Sequence, residues 1–522
     1  MRDSIKIRSI EDLADELSTL RTREGGQTVV QCHGVFDLLH IGHIRHFEES
    51  KRLGDILVVT VTPDRFVNKG INRPAFSEDL RVEGIAALNS VDYVMINRWP
   101  TSVEAVKLLK PDIYVKGGDY ANPSADLTGN IIAEEEAVRS VGGTVAFTED
   151  IVFSSSNLIN RHLPVYTRDV QDYLSRFAGR HSAEEVIGYL NRSSGLSVLV
   201  VGETIIDEYQ YCEAMGKSAK EPVLAARYVS GEKFAGGVLA IANHLSNFCD
   251  RVGVATMLGA DDAQEEFVRD SLNSNVDFRC VYKAKSPTIS KRRFVESYLL
   301  QKLFEVYEMS DDELDPSQSR ELCSILVDIA PSYDVVIVAD YGHGMMTSDA
   351  IQTVCQKSPF LAVNTQANAG NRGFNTISKY PRADYVSIAN HELALDERDR
   401  TGDPRDMVMN VSRKLNCDRI VITRGKYGSL CYSADEGFVE VPAFAREVVD
   451  RMGAGDAVLS LTSLCVAQKA PIEIVGLIGN LVGAHAVATL GHSESVQKVP
   501  LMKQIESCLK SHVKSPRTAR RN

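Results

Sequence analysis

The stretch "GVFDLLHIGH" sets His40 and His43 three positions apart, with Gly42 between them. Imidazoles at that spacing near a helix start can both reach one anion, and the glycine leaves room for close approach. Two donors aimed at one phosphate would stabilise the charge that develops during its transfer, with no covalent intermediate. The same pair would also serve as a packed helix start or as metal ligands, and the HxGH pattern alone does not separate these readings. A second constellation is "DRMGAGDAVLSL", in which Gly453, Ala454 and Gly455 lead into Asp456 and an apolar run. Small residues there let backbone N–H groups converge, and a helix start adds its positive end, so a phosphoryl group in transfer would be held. Asp456 would then take the proton from an acceptor hydroxyl. A lone GAGD is equally a helix-capping turn.

The surrounding pattern supplies the elements that must position these groups. From Thr28 to about Leu163, β-branched runs such as "TVVQCHG", "DILVVTVT", "VDYVMI" and "DIYVKGG" alternate with helical segments. That alternation predicts βαβ units around a parallel sheet, whose ligands bind beyond the carboxyl ends of the strands. Residues 166–194 are polar and helical in pattern and are predicted to link two halves. A fresh strand, "LSVLVVGE", opens a second alternating region that runs to about residue 510, and 511–522 forms a basic tail expected to be disordered. A chain of 522 residues exceeds one hydrophobic core, which stops growing at roughly 250–300 residues.

Composition narrows the class. Apolar residues at 44% and charged residues at 25% are ordinary globular values, which argue against disorder or a fibrous repeat. The net charge of -12 argues against a nucleic-acid or membrane surface, so any anion site is a local cluster of Lys and Arg. Ten cysteines carry no CxxC pair and no metal-ligand spacing, the usage of a reduced compartment, and no metal site is assigned. With no leader pattern and no apolar run of about 18 residues, a cytoplasmic location is expected.

Four motifs in the first half, "GVFDLLHIGH", "RPAFSEDLRVEGIAAL", "DIYVKGGDY" and "FSSSNLI", together resemble the cytidylyltransferase-like nucleotidyltransferases over about residues 28–163. Within them the likeness is greatest to the adenylyltransferase half of bifunctional ADP-heptose synthases. The resemblance implies a Rossmann-like domain, 1–165, in which a sugar 1-phosphate attacks the α-phosphorus of a nucleoside triphosphate with Mg²⁺ present. It implies that His40 and His43 hold the phosphates and that Gly34, Phe36 and Asp37 belong to their loop. Lys69, Arg73 and Arg81 would supply cations, and Lys116, Gly117 and Asp119 would recognise the nucleotide. Ser154, Ser155 and Ser156 would bind phosphate at a helix start. Without the resemblance, Lys116 and Asp119 read as a surface ion pair and the serines as an N-cap.

In the second half, "VLVVGETIIDEY", "FAGGVLAIANHL", "VIVADYGHG", "VITRGKYGS" and "DRMGAGDAVLS" resemble the ribokinase-type, or PfkB, carbohydrate kinases. The resemblance implies a ribokinase-like α/β domain over 195–510, with Asp207, Gly236 and Gly237 binding sugar, Asn480 touching nucleotide, and Asp456 as the base. It also marks departures. Ala240 stands where the family has a sugar-binding asparagine, and Asn364 and Gln366 replace an acid and a lysine. Asn390-His391-Glu392 compresses an Asn-x-x-Glu pattern, and Met452 replaces a threonine. ADP-heptose synthases carry the kinase half first, whereas here the transferase half leads.

The expected fold class is therefore α/β, a Rossmann-like nucleotidyltransferase domain followed by a ribokinase-like domain. The expected function is a sugar kinase joined to a sugar 1-phosphate nucleotidyltransferase, making an activated NDP-sugar for surface polysaccharide. Its ligands would be ATP, or CTP in the first domain, a sugar or sugar phosphate, and Mg²⁺, and the chain would form a homodimer. The second reading keeps the transferase and makes the kinase-like half a sensing module, a consequence of Ala240, Asn364 and Gln366.

Overall fold

The computed structural model describes residues 6–22, 26–67, 73–118, 130–148, 166–298, 300–445 and 448–510. By their contacts the residues form two compact units, one of Met1–Thr167, Leu174–Ala183 and Val499–Asn522, the other of Arg168–Tyr173 and Glu184–Lys498. The stretch read as a linker forms two helices, Arg168–Ala178 and Ala183–Arg192. They are amphipathic and bury Val170, Leu174, Phe177, Val186 and Leu190. Residues from Val499 onward group with the first unit, where Cys508 Sγ lies 3.2 Å from the Tyr166 hydroxyl.

In the first unit, β1 (Val29–Gly34), β2 (Ile56–Val61), β3 (Tyr93–Ile96), β4 (Ile113–Gly117) and β5 (Thr144–Thr148) form a parallel sheet. Strand order is β3-β2-β1-β4-β5. The sheet is sandwiched, so its central strands are apolar on both faces: Val30, Leu57 and Val59 pack with Phe47 and Ile85, while Val29 and Val58 pack with Leu13, Leu17 and Leu109. The order reverses between β1 and β4, and the crevice beyond their carboxyl ends is where such sheets take ligands.

The second unit carries two sheets built from β6 (Ser197–Gly202), β7 (Thr204–Lys217), β8 (Leu224–Gly237), β9 (Arg251–Gly259), β10 (Val276–Lys283), β11 (Ile289–Glu296), β12 (Lys302–Glu308), β13 (Val335–Asp340), β14 (Leu361–Thr365), β15 (Tyr385–Ala389), β16 (Arg419–Thr423), β17 (Ser429–Ser433) and β18 (Gly437–Val441). The large sheet runs β10-β9-β6-β13-β14-β15-β16-β17-β18, parallel up to β16 and antiparallel at its last two pairings. The small sheet runs β12-β11-β7-β8. Its parent strands β7 and β8 are 14 residues each, buried near Thr204 and Gly237 and exposed toward Lys217 and Leu224. The helices Ala454–Ala467 and Ile472–Val487 are buried almost all round, which their largely apolar sequences require. None of the ten cysteines forms a disulfide and eight are buried, as expected of a chain with no pairing pattern. Among the described residues no helix is long and apolar enough to cross a membrane.

Candidate functional site

In the first unit the end of β1 builds the site. A side chain on Gly34 would meet the Phe36 ring at 3.0 Å, so glycine is what lets that ring fold back over the strand end. His40 caps the helix Ile41–Lys51, its Nδ1 accepting from the Gly42 N–H at 3.1 Å. That contact assigns the ring proton of a neutral His40 to Nε2, which is then a donor. The His43 ring stacks on His40 at 3.9 Å between centroids and meets Phe36 edge-on at 5.5 Å. Two imidazoles therefore stand together at a helix start, the arrangement in which an anion is stabilised by both ring N–H groups and the helix dipole.

The neighbouring charges are committed to the frame. Asp37 is buried and accepts from the Ala75 and Phe76 N–H groups at 2.8 and 3.1 Å, with Arg73 at 3.7 Å, so it pins the segment before the helix Glu78–Ala86. Arg81, read as a phosphate cation, is buried and gives its guanidinium to the carbonyls of Val35, Thr62 and Phe76 and to Asp64. It braces the loop after β1, and its charge acts from behind the site. Lys116 on β4 is likewise inside, paired at 2.7 Å with buried Glu134, which also accepts from Ser102. That pair is internal, not on the surface. Gly117 closes β4 with open space where a side chain would be. Lys69, Asp119, Ser154, Ser155 and Ser156 lie outside the described residues.

Sequence reasoning passed over His33 and His46. His33 Nδ1 lies 2.9 Å from Thr60 Oγ1 and His46 Nδ1 lies 3.0 Å from Thr148 Oγ1. Burial first, and then the charge of Lys116, depress both imidazoles, His33 to about 3 and His46 to about 4. The signal was available: His46 follows His43 by three positions, hence on the same helix face.

In the second unit, β7, the end of β8 and the helix start at Ala454 converge. Gly453 is left-handed at φ 73, and a side chain there would strike the His492 ring at 2.2 Å, so the residue must be glycine. Gly455 faces open space and Ala454 starts the helix, leaving their N–H groups at its positive end. Asp456 is half-buried in the first turn and accepts from the Tyr341 hydroxyl at 2.8 Å. Burial raises its carboxyl above the ordinary range, opposed by His492 and by the Tyr341 bond. A raised carboxyl is the better proton acceptor once ionised.

Asp207 on β7 is buried, held by Arg293 at 2.5 Å and by His492 at 3.4 Å. Gly236 packs on it so closely that a side chain would lie 2.2 Å from its Oδ2, and Gly237 would strike the Glu203 carbonyl at 2.5 Å. His492 thus touches Asp207 and covers Gly453, tying that aspartate to the glycine turn; the sequence pattern had not singled it out. Ala240 and His492 also line a cavity of about 280 Å³. Asn480 donates to Ser429 Oγ at 2.7 Å and to the Gly476 carbonyl at 2.8 Å. Asn364 donates its side-chain amide to the Ser387 carbonyl at 2.6 Å, bridging two neighbouring strands, and the backbone N–H of Gln366 binds the Asp340 carbonyl at 2.9 Å, as any residue with an N–H there would. Among the described residues no cluster of three His, Cys, Asp or Glu side chains could hold a metal. Mg²⁺ is commonly held by one or two carboxylates and substrate phosphates, which calls for no such cluster.

The family model described as pfkB family carbohydrate kinase matches residues 196–499, more than half of the chain. The chain belongs to that family. The pfkB match covers every kinase-side residue above, and a cytidylyltransferase-like model matches residues 32–161, so a carbohydrate kinase domain and a nucleotidyltransferase-like domain are both present. Beside this pfkB protein stands the bifunctional protein HldE of Syntrophotalea carbinolica, 41% identical over 165 residues, which are 31% of this chain and 32% of that one. HldE of Citrifermentans bemidjiense is 25% identical over 312 residues, 59% of this chain and 63% of its own length. The chain thus spans less than two thirds of the curated relatives it matches. Phosphofructokinase-2 from Escherichia coli in complex with potassium aligns with a TM-score of 0.49 and 16% identity, covering 60% of this chain and 99% of that one.

Proposed function

We propose that the chain phosphorylates the anomeric hydroxyl of a sugar or sugar phosphate and couples the product to a nucleotide, giving an NDP-sugar of the ADP-heptose kind for surface polysaccharide. The observation that carries this reading is the placement of half-buried Asp456 at a helix start behind a left-handed glycine, beside Tyr341, in the unit that holds Asp207 against Gly236. Asp207 and the edge of Gly236 orient the acceptor, Asp456 takes its proton, and the N–H groups of Ala454 and Gly455 receive the phosphoryl group in flight. Bound Mg²⁺ would neutralise phosphate charge.

In the first unit, His40 and His43 grip the α-phosphate during attack by the sugar 1-phosphate. Lys69, Arg73, Lys116, Gly117, Asp119 and Ser154–Ser156 complete that site in this reading, on the strength of the motifs alone. ATP is the nucleotide of both units, with CTP as the alternative in the first. The transferase-first order, opposite to that of ADP-heptose synthases, leaves the chemistry of each unit intact. The reading includes a cytoplasmic enzyme and a homodimer. Met215, Leu224, Tyr228, Phe304 and Val306, all exposed on the small sheet, support self-association.

The alternative, a sensing kinase-like half, draws support from His492, which lies over Gly453, and from the loss of charge at Asn364 and Gln366. ADP release from ATP and a sugar panel, by wild type and Asp456→Ala, separates the two. Turnover lost in the variant upholds the kinase, and no turnover by wild type upholds the sensor.

A further inference from the structure

Asp450 stands just upstream of the glycine turn, almost fully buried, and its carboxylate accepts from four donors. Oδ1 takes Lys302 Nζ at 2.6 Å and the Met452 N–H at 3.2 Å. Oδ2 takes the Tyr209 hydroxyl at 2.5 Å and the Gly491 N–H at 3.2 Å. Each oxygen therefore holds one side chain of the small sheet, from β12 or β7, and one backbone N–H of a turn beside the kinase site. Met452 leads directly into Gly453, and Gly491 into His492, whose ring covers Gly453 and touches Asp207. One carboxylate thus bolts the small sheet to both turns.

The four donors are not equivalent, because Lys302 alone among them is a cation. Burial pushes the Asp450 carboxyl up, and the bonds from Lys302 and then Tyr209 more than offset it, so the group stays ionised. A carboxylate this deep without its cation is strongly disfavoured. Lys302 itself remains about one-third exposed, at 32% for the side chain, and sits 5.6 Å from the centroid of the Tyr209 ring. Arg293 lies 5.6 Å from the same ring and binds Asp207. The small sheet holds Asp207 by one cation and Asp450 by another, with Tyr209 against both.

We propose that Lys302 is a positioning residue for phosphoryl transfer: through Asp450 it fixes the turn that aims the Ala454 and Gly455 N–H groups at the phosphoryl group in flight. The proposal rests on the kinase reading above. Lys302 acts at a distance, through a carboxylate that serves backbone rather than ligand, and this sets the kinetic signature. Donors aimed at developing charge work in the transition state, so their misplacement lowers kcat and kcat/KM together and leaves KM alone.

The test uses the full chain with ATP and Mg²⁺, reading ADP release with D-mannose, D-mannose 6-phosphate, a D-aldoheptose and its 7-phosphate. Melting curves run beside it, and kcat is counted per folded chain, so that unfolding alone registers no loss. Lys302→Met keeps the stem along Tyr209 and removes the cation. It is expected to lower kcat about 10- to 100-fold, with the acceptor KM and the ATP KM nearly unchanged. Lys302→Arg restores a cation and should recover most of that loss. Should Lys302→Met fail to fold, Lys302→Gln, which keeps a donor and drops the charge, is expected to show the same fall in kcat. Wild-type kcat in the neutral variant, a rise in acceptor KM at unchanged kcat, or a loss that Lys302→Arg does not recover overturns the assignment and leaves the kinase standing. No ADP from any probe with wild type overturns both.

Discussion

The Tyr341 hydroxyl donates to Oδ1 of Asp456 at 2.8 Å, from a loop whose backbone is itself tied to Glu203. Burial drives the Asp456 carboxyl upward, and the tyrosine bond is one of the forces holding it down. Tyr341→Phe removes that restraint, so the base stays protonated to higher pH. Hydrogen bonds to charged groups are worth about 1.5–3 kcal/mol, roughly one to two pH units. The acid limb of the kcat/KM profile for sugar phosphorylation should move up by about one unit, and an unmoved limb would remove Asp456 from the role of base.

Two glycines of the second unit should answer alanine differently. A methyl on Gly236 collides with Asp207, itself locked by Arg293, so Gly236→Ala is expected to lower Tm and weaken acceptor binding together. Gly455 has nothing within 4 Å of a side-chain position. Gly455→Ala should keep the wild-type Tm and lose kcat, because the methyl enters the space left for the phosphoryl group. Melting curves and ADP release on the two variants check the contrast.

In the first unit the division is between catalysis and bracing. His40→Ala or His43→Ala should lower pyrophosphate release on the order of 100-fold or more, with kinase turnover intact. Arg81→Ala should instead unfold the first unit at lower temperature, since it strips donors from three carbonyls and from Asp64. Differential scanning calorimetry beside both activity assays distinguishes these outcomes. A catalytic loss in Arg81→Ala at unchanged Tm would make it a phosphate ligand.

Acid should act first through two histidines. His33 and His46 titrate near 6.5 when unfolded and are depressed to about 3 and about 4 when folded. A group with a depressed folded pKa contributes stability that is present above the unfolded value and lost as pH falls toward the folded one. Each imidazole should therefore cost the first unit up to about 1.4 kcal/mol per pH unit between about 6.5 and 4. Urea midpoints at pH 7 and pH 5 test this, with His33→Gln expected to flatten the dependence.

The parallel sheet of the first unit and the helix starts at Ile41 and Ala454 were legible because apolar period and glycine punctuation are local signals. The small sheet was not, because β7, β8, β11 and β12 come from separate stretches and their pairing depends on long-range register. Arg81 shows the limit for site residues. Its spacing marks a cation near a phosphate loop, yet only the fold reveals that backbone carbonyls consume its donors. His492 escaped because it acquires its meaning from a partner far away in the chain, Asp207.

The lack of disulfides among the ten cysteines has a further consequence. Burial pushes Cys32 in the first unit and Cys417 and Cys465 in the second up to about 12, so the folded chain offers almost no thiolate there. Alkylating reagents react with thiolate, so each of these sulfurs waits until its own surroundings open. Labelling of Cys32 against Cys465 is a pair of native clocks, one per unit, recording how often each half breathes without any probe being added to the protein.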